Sequence, residues 1–207
     1  CAGGLVAPRW FGSAATDLGA LGLGPLAPVR AGTTLAVGSN RGIIDPDNEL
    51  RVAAAGFVAL PSAGVATPLR YVPESAGGVS AEALHAFPQT VYRLSVRSNR
   101  TGFRFEGARL ENPPAFTDPN RLSEPTAPGA IQLPPDGQPI LLMADRNTTG
   151  GYPRLGHLCS ADMGRAAQLW PGDAVTFVPV ETAAAQAITR SHEAELRGWL
   201  TRIGAVA

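Results

Sequence analysis

Ala130-Ile-Gln-Leu-Pro-Pro-Asp-Gly-Gln-Pro-Ile-Leu-Leu-Met-Ala144 is two apolar runs separated by a turn sequence. Proline presets φ, aspartate bonds back to its own backbone, and glycine accepts a positive φ, so Pro134-Pro-Asp-Gly-Gln138 reverses the chain instead of extending either run. The flanks, 130–133 and 139–144, are short and bounded by proline, and they read as the two arms of a β-hairpin.

Downstream the pattern stays β and changes once. Residues 155–161 make a further strand, Asp162 caps a short helix expected to reach Leu169, and Trp170-Pro-Gly-Asp173 turns into a strand at 174–180. In residues 181–203, Ile188, His192, Leu196, Trp199, Leu200 and Ile203 recur at three-to-four spacing along one stripe, which makes this the one clear α-helix. Upstream, five prolines between 111 and 129 mark an extended surface excursion. Thr90-Val-Tyr-Arg-Leu-Ser-Val-Arg97 alternates with Tyr92, Leu94 and Val96 on one face. Ser80 caps a two-turn helix that stops before Pro88, and 68–73 and 50–60 read as further strands. Residues 1–40 are short apolar pieces punctuated by glycine and proline, ending in a turn and short strand at 31–38. The fold class expected is mainly β, closed by a C-terminal α-helix.

The 207 residues suffice for one domain or two small ones. Seventeen basic residues balance 17 acidic ones, so no global field attracts nucleic acid or an anionic membrane. Glycine (24) and proline (19) together make about a fifth of the chain, below the level at which disorder becomes the default reading. All 17 basic residues are arginine. A chain without lysine cannot carry biotin or lipoyl, form a Schiff base with pyridoxal phosphate, or supply a P-loop lysine. The most apolar window, 18–37, is broken by Pro25, Pro28 and Arg30, so no membrane span is expected. With only Cys1 and Cys159, at most one disulfide is possible, and a cytoplasmic location is expected. The start at Cys1-Ala-Gly-Gly4 points to a processed or trimmed chain. A lipidated cysteine and an N-terminal nucleophile are the alternatives to a missing upstream segment, which is the reading preferred.

Two polar clusters could carry chemistry. Ala144-Asp-Arg-Asn-Thr-Thr-Gly-Gly-Tyr-Pro-Arg154 sets hydrogen-bonding side chains beside a double glycine that lets a ligand approach the backbone. Such a loop suits a small amide or carboxylate; equally, its Asp, Asn and Thr side chains could merely satisfy their own backbone. In Arg97-Ser-Asn-Arg-Thr-Gly-Phe-Arg-Phe-Glu-Gly107, the arginines could grip a carboxylate or phosphate, or pair on the surface with Glu106, Glu111 and Asp118. His157, Cys159 and His192 lack metal-ligand spacing, and no metal site is expected.

Four stretches resemble the biotin-dependent carboxyltransferase A/B-type domain, also called allophanate hydrolase subunit 2, whose bacterial members include the C subunit of ATP-dependent 5-oxoprolinase. They are Gly12-Ser-Ala-Ala-Thr-Asp-Leu18, Ser98-Asn-Arg-Thr-Gly-Phe-Arg-Phe-Glu-Gly107, Pro128-Gly-Ala-Ile-Gln-Leu-Pro-Pro-Asp-Gly-Gln-Pro-Ile140, and Met143-Ala-Asp-Arg-Asn-Thr-Thr-Gly-Gly-Tyr-Pro-Arg-Leu155 with Asp162, Ala167-Gln-Leu169 and Pro171-Gly-Asp173 behind it. The chain departs from the family at Ala14-Ala15 (Arg-Ser there), Asn147 (glutamine) and Arg154 (lysine), and members carry a further upstream segment.

The resemblance implies cyclophilin-like β-barrel subdomains, here a partial one at 1–72 and a complete one with the C-terminal helix at 73–207. It also implies pairing with a carboxyltransferase C/D-type subunit (allophanate hydrolase subunit 1 or the 5-oxoprolinase B subunit). The activity implied is that of a subunit of an ATP-dependent amide-processing enzyme, foremost 5-oxoprolinase, with biotin-dependent carboxyl transfer to urea as the alternative. ATP would be bound by or shared with a partner, and any biotin would arrive on another protein. A regulatory protein antagonising a kinase-inhibitor partner is the competing class. The candidate catalytic residues are Asp145, Asn147 and Tyr152, and the candidate substrate-binding residues are Arg100, Gln132, Thr148, Gly150 and Gly151. Asn147 can donate and accept, Asp145 can accept from an N–H, and Arg100 can hold a carboxylate.

Overall fold

The computed structural model describes residues 5–6, 30–38, 64–75, 78–111 and 122–202, and the chain forms two compact units, residues 1–52 and 53–207. Cys1, Ala14-Ala15, the strand expected at 50–60 and most of the proline-rich excursion lie outside the described residues. In the first unit β1 (Leu5–Val6) pairs antiparallel with β2 (Ala36–Val37). A turn with Gly32 at φ 87° precedes β2, closed by the Thr33 N–H donating to the Arg30 carbonyl at 3.0 Å.

The second unit is built on β3 (Thr67–Pro73), α1 (Ala81–Ala86), β4 (Tyr92–Leu94), β5 (Gly102–Glu106), β6 (Glu124–Pro125), β7 (Ala130–Gln132), β8 (Ile140–Leu142), β9 (Thr149–Gly150), β10 (Arg154–Leu158), α2 (Met163–Ala166), β11 (Ala174–Pro179) and α3 (Thr182–Arg202). Seven of these strands close a barrel in the order β10-β3-β11-β4-β5-β8-β7, with β7 pairing back to β10. Every neighbour is antiparallel except β11 and β3, which run parallel. The hairpin of 130–144 is present as β7 and β8, with Ile131 opposite Leu141 and Gly137 at φ 73° in the turn.

A cluster of aromatic rings fills the barrel. Phe177 of β11 stacks on Phe87 at 4.6 Å between centroids and meets the edges of Phe105, Tyr92 and Tyr71 at 5.3, 5.9 and 6.2 Å. Phe87 enters the core because a short 3-10 turn, Phe87–Gln89, follows α1, whose N-terminus Ser80 caps by accepting from the Ala83 N–H at 3.0 Å. Burial pushes the Tyr71 and Tyr92 phenols up to about 12. The alternation of 90–97 survives only over β4, where Tyr92 and Leu94 are buried; the chain then turns at Ser95, and Val96 is 82% exposed.

One ion pair is sealed into this unit. Asp162, fully buried, accepts from the Arg70 N–H at 2.8 Å and from its Nε at 2.9 Å through one oxygen, while the other oxygen meets Nη2. It ties β3 to the 3-10 turn Ser160–Asp162, which with α2 takes the place of the single helix expected from Asp162 to Leu169. Burial alone would raise the Asp162 carboxyl, but the Arg70 hydrogen bonds and charge outweigh it and hold the group below the ordinary value. The first turns of α3 lie over β3 and β10 and carry the half-buried stripe Ile188, His192 and Leu196 onward. No helix among the described residues is long and apolar enough to cross a membrane.

Candidate functional site

β7 positions Gln132 unusually. Ile131 and Leu133 belong to the barrel core, so alternation puts Gln132 on the outer face, yet it is only 6% exposed. It is covered by the β6–β9 ribbon, in which Glu124 pairs with Gly150 and Pro125 with Thr149. A Cβ at position 150 would stand 2.8 Å from Gln132 Nε2 and 3.2 Å from Thr126 Cγ2, so any larger residue there must push the Gln132 carboxamide aside. Among the described residues no side-chain hydrogen bond is made by the Gln132 carboxamide, whose donor and acceptor are open to a ligand or to water.

The loop from 143 to 152 takes its shape from Thr126. The Thr126 N–H donates to the Thr148 carbonyl at 2.9 Å, and its hydroxyl donates to the Asn147 carbonyl. Arg146 returns Nε and Nη2 to the Thr126 carbonyl at 3.3 and 3.2 Å. The loop backbone is therefore satisfied from outside, and the exposed side chains of Asn147, Thr148 and Thr149 make no hydrogen bond among the described residues. Among the described residues these side chains do not cap the loop's own backbone. The 97–107 cluster behaves the other way. Asn99 Oδ1 accepts from the Thr101 and Gly102 N–H groups at 2.9 and 3.3 Å, and Arg97 pairs with Glu106 at 3.4 Å.

Arg100 and Asp145 meet as an exposed ion pair through Arg100 Nε, and the Asp145 N–H donates to the Arg100 carbonyl at 3.0 Å. The Arg100 side chain is 78% exposed. Tyr152 follows Gly151 at the far end of the loop, 44% exposed. The structure thus brings Gln132, Gly150, Asn147 and Thr148 together through Thr126, and pairs Arg100 with Asp145 at the loop entrance.

Three residues absent from the candidates are woven into the same place. Arg154, opposite Gln132 in the β7–β10 ladder, grips Glu74 through Nε at 2.9 Å and Nη2 at 2.8 Å, and Glu124 of the ribbon through Nη1 at 2.5 Å. The Arg154 fork lowers the Glu74 carboxyl against the opposing effect of burial, and it raises Arg154 in turn. His157 Nε2 stands 3.4 Å from Glu74 on the other side. Glu74 and Glu124 lie 80 and 30 residues upstream of Arg154, so no local spacing could have announced them. Next to His157 a cleft of about 410 Å³ opens between α3 and the barrel, lined in part by Ser160, Gln186 and Arg190. Cys159 beneath it is buried, and burial raises its thiol. Among the described residues no group of three or more His, Cys, Asp or Glu side chains is placed to hold a metal ion.

Comparison with known proteins extends these observations. The family described as carboxyltransferase domain, subdomain A and B, matches residues 1–179. The C subunit of 5-oxoprolinase from Escherichia coli K12 is 44% identical over 93 residues, 45% of this chain and 29% of that protein. The protein of the same name from Haemophilus influenzae is 39% identical over 102 residues, 49% of this chain and 32% of that protein. Among solved structures, urea carboxylase of Kluyveromyces lactis superposes on 93% of this chain and 18% of its own with a TM-score of 0.71 at 23% identity, a likeness of fold. The matches cover less than a third of the length of both curated relatives.

Proposed function

The chain belongs to the carboxyltransferase domain family, subdomains A and B, and from that premise we propose that it is the amide-binding part of an ATP-dependent amide-processing enzyme, a 5-oxoprolinase acting with a partner subunit. The observation that carries the reading is the carboxamide of Gln132, held beneath Gly150 on a residue only 6% exposed and making no side-chain hydrogen bond among the described residues. A lactam is locked cis, so its N–H and C=O project side by side and match the O and NH₂ of a primary carboxamide in a two-bond ring. Asn147 and Thr148 then complete the polar wall, and the Nη groups of Arg100 suit the carboxylate of 5-oxoproline. Asp145, paired with Arg100, orients that guanidinium, and Tyr152 closes the other end of the loop.

Support for the substrate class comes from the two relatives that carry the name of the 5-oxoprolinase C subunit. The nucleotide is assigned to the partner. Gly150 pairs into a ribbon instead of opening a helix, so this double glycine is no phosphate cradle, and the chain has no lysine. If biotin takes part, it likewise arrives on another protein. The partner proposed is a C/D-type subunit, and the compartment proposed is the cytoplasm.

The test is ATP hydrolysis by the full-length protein co-purified with its partner. Stimulation by 5-oxoproline with release of glutamate is expected. Stimulation only by urea with bicarbonate, blocked by avidin, would replace 5-oxoproline by urea, and a stable complex silent with both substrates would overturn the reading.

A further inference from the structure

We infer that Arg154 is a positioning residue, which clamps the β6–β9 ribbon to the barrel and so holds Gly150 and the Asn147 loop over Gln132. Its functional consequence rests on Gln132 being the amide-binding group; the clamp itself rests on geometry. The ribbon has two residue pairs, and one member, Pro125, has no N–H to give. A ribbon this short does not stand alone in water. The bonds made by Thr126 and Arg146 all lie within the ribbon and its loop, so they shape it without fastening it to the barrel.

The Asp145 N–H bond to the Arg100 carbonyl holds the start of the loop, and Arg154 fastens the ribbon end. It leaves barrel strand β10, spends two nitrogens on Glu74 just beyond the end of β3, and aims the third at Glu124 in β6. The guanidinium is planar, so the fork on Glu74 fixes where Nη1 points. The Arg154 side chain is only 18% exposed, while that of Glu124 is half exposed. A lone pair to such a glutamate is weak, and its use here is direction more than strength.

The experiment compares Arg154→Met and Arg154→Lys with wild type in the partner complex, reading hydrogen exchange of the Thr126 amide and steady-state kinetics with 5-oxoproline. In Arg154→Met the Thr126 amide is expected to exchange about tenfold faster. KM is expected to rise about tenfold with kcat within about threefold, the signature of lost binding and not lost chemistry. Lysine should restore only a minor part of either, because an ammonium keeps the charge but lacks the fork that fixes the direction of the contact to Glu124. Unchanged Thr126 exchange in Arg154→Met overturns the clamp, as does a fall in kcat at constant KM. Should that variant fail to fold, Glu124→Ala cuts only the ribbon contact and is read the same way. If the wild-type complex turns over no 5-oxoproline, the functional reading falls, and the exchange rates alone decide the clamp.

Discussion

Gly150→Ala separates binding from stability. Position 150 does not require a positive φ, so the backbone accepts alanine, but the new Cβ falls 2.8 Å from Gln132 Nε2 and 3.2 Å from Thr126 Cγ2. Ordinary contact is about 3.5 Å or more, so the flexible end of Gln132 must turn away. Turning it off its rotamer costs about 0.5–1.5 kcal/mol. Removing a glycine from the unfolded chain returns about 0.4–1 kcal/mol. The net is within about 1 kcal/mol, a Tm change of no more than about 4 °C for a chain of this size. Displacing the carboxamide forfeits its bonds to a bound amide, about 1–3 kcal/mol, or roughly five- to hundredfold in KM. Melting of the chain and steady-state kinetics of the partner complex read the two quantities separately. A KM within twofold of wild type would refute the reasoning, as would a Tm loss above about 10 °C, which would make Gly150 a packing residue.

Three further outcomes follow from the same contacts. Asp162→Asn leaves the Arg70 fork half answered and should cost about 2–3 kcal/mol, read by denaturant melts. The Asp162 carboxyl is lowered on folding from its ordinary 3.8, so its contribution is present above that pH and disappears as pH falls through the folded value; the variant should flatten this acid limb of the stability curve. Asn147→Ala should leave Tm unchanged, because Thr126 holds the Asn147 carbonyl and not its side chain, and should lower turnover about tenfold; unchanged turnover would remove the loop from the mechanism. Phe177→Ala removes the ring at the centre of the aromatic cluster and should cost about 3–5 kcal/mol in a urea titration.

The sequence makes some of this legible and hides the rest for physical reasons. The hairpin at 130–144 is readable because proline, aspartate and glycine each restrict the backbone locally, and α3 is readable because a 3.6-residue stripe persists for five turns. Residues 90–97 mislead at Val96, since alternation continues in the sequence after the chain has turned at Ser95, whose hydroxyl donates to Glu106 at 2.5 Å. The parallel pairing of β3 with β11 joins residues more than a hundred positions apart, and no local pattern encodes it. The polar loop at 145–152 stands out by composition, but its support does not: β6 and β9 are two residues each, too short for periodicity. Thr126 sits in a proline-rich stretch that reads as loop, and Arg154 shows its role only with Glu74 and Glu124 beside it.

Gln132 is the residue on which the proposed amide recognition depends, and Gln132→Leu is its sharpest test. Leucine fills similar space without the carboxamide, so Tm should stay within about 4 °C of wild type. In the same protein the KM for 5-oxoproline, measured in the partner complex, should climb at least about tenfold. A wild-type KM in a folded Gln132→Leu protein would contradict the claim.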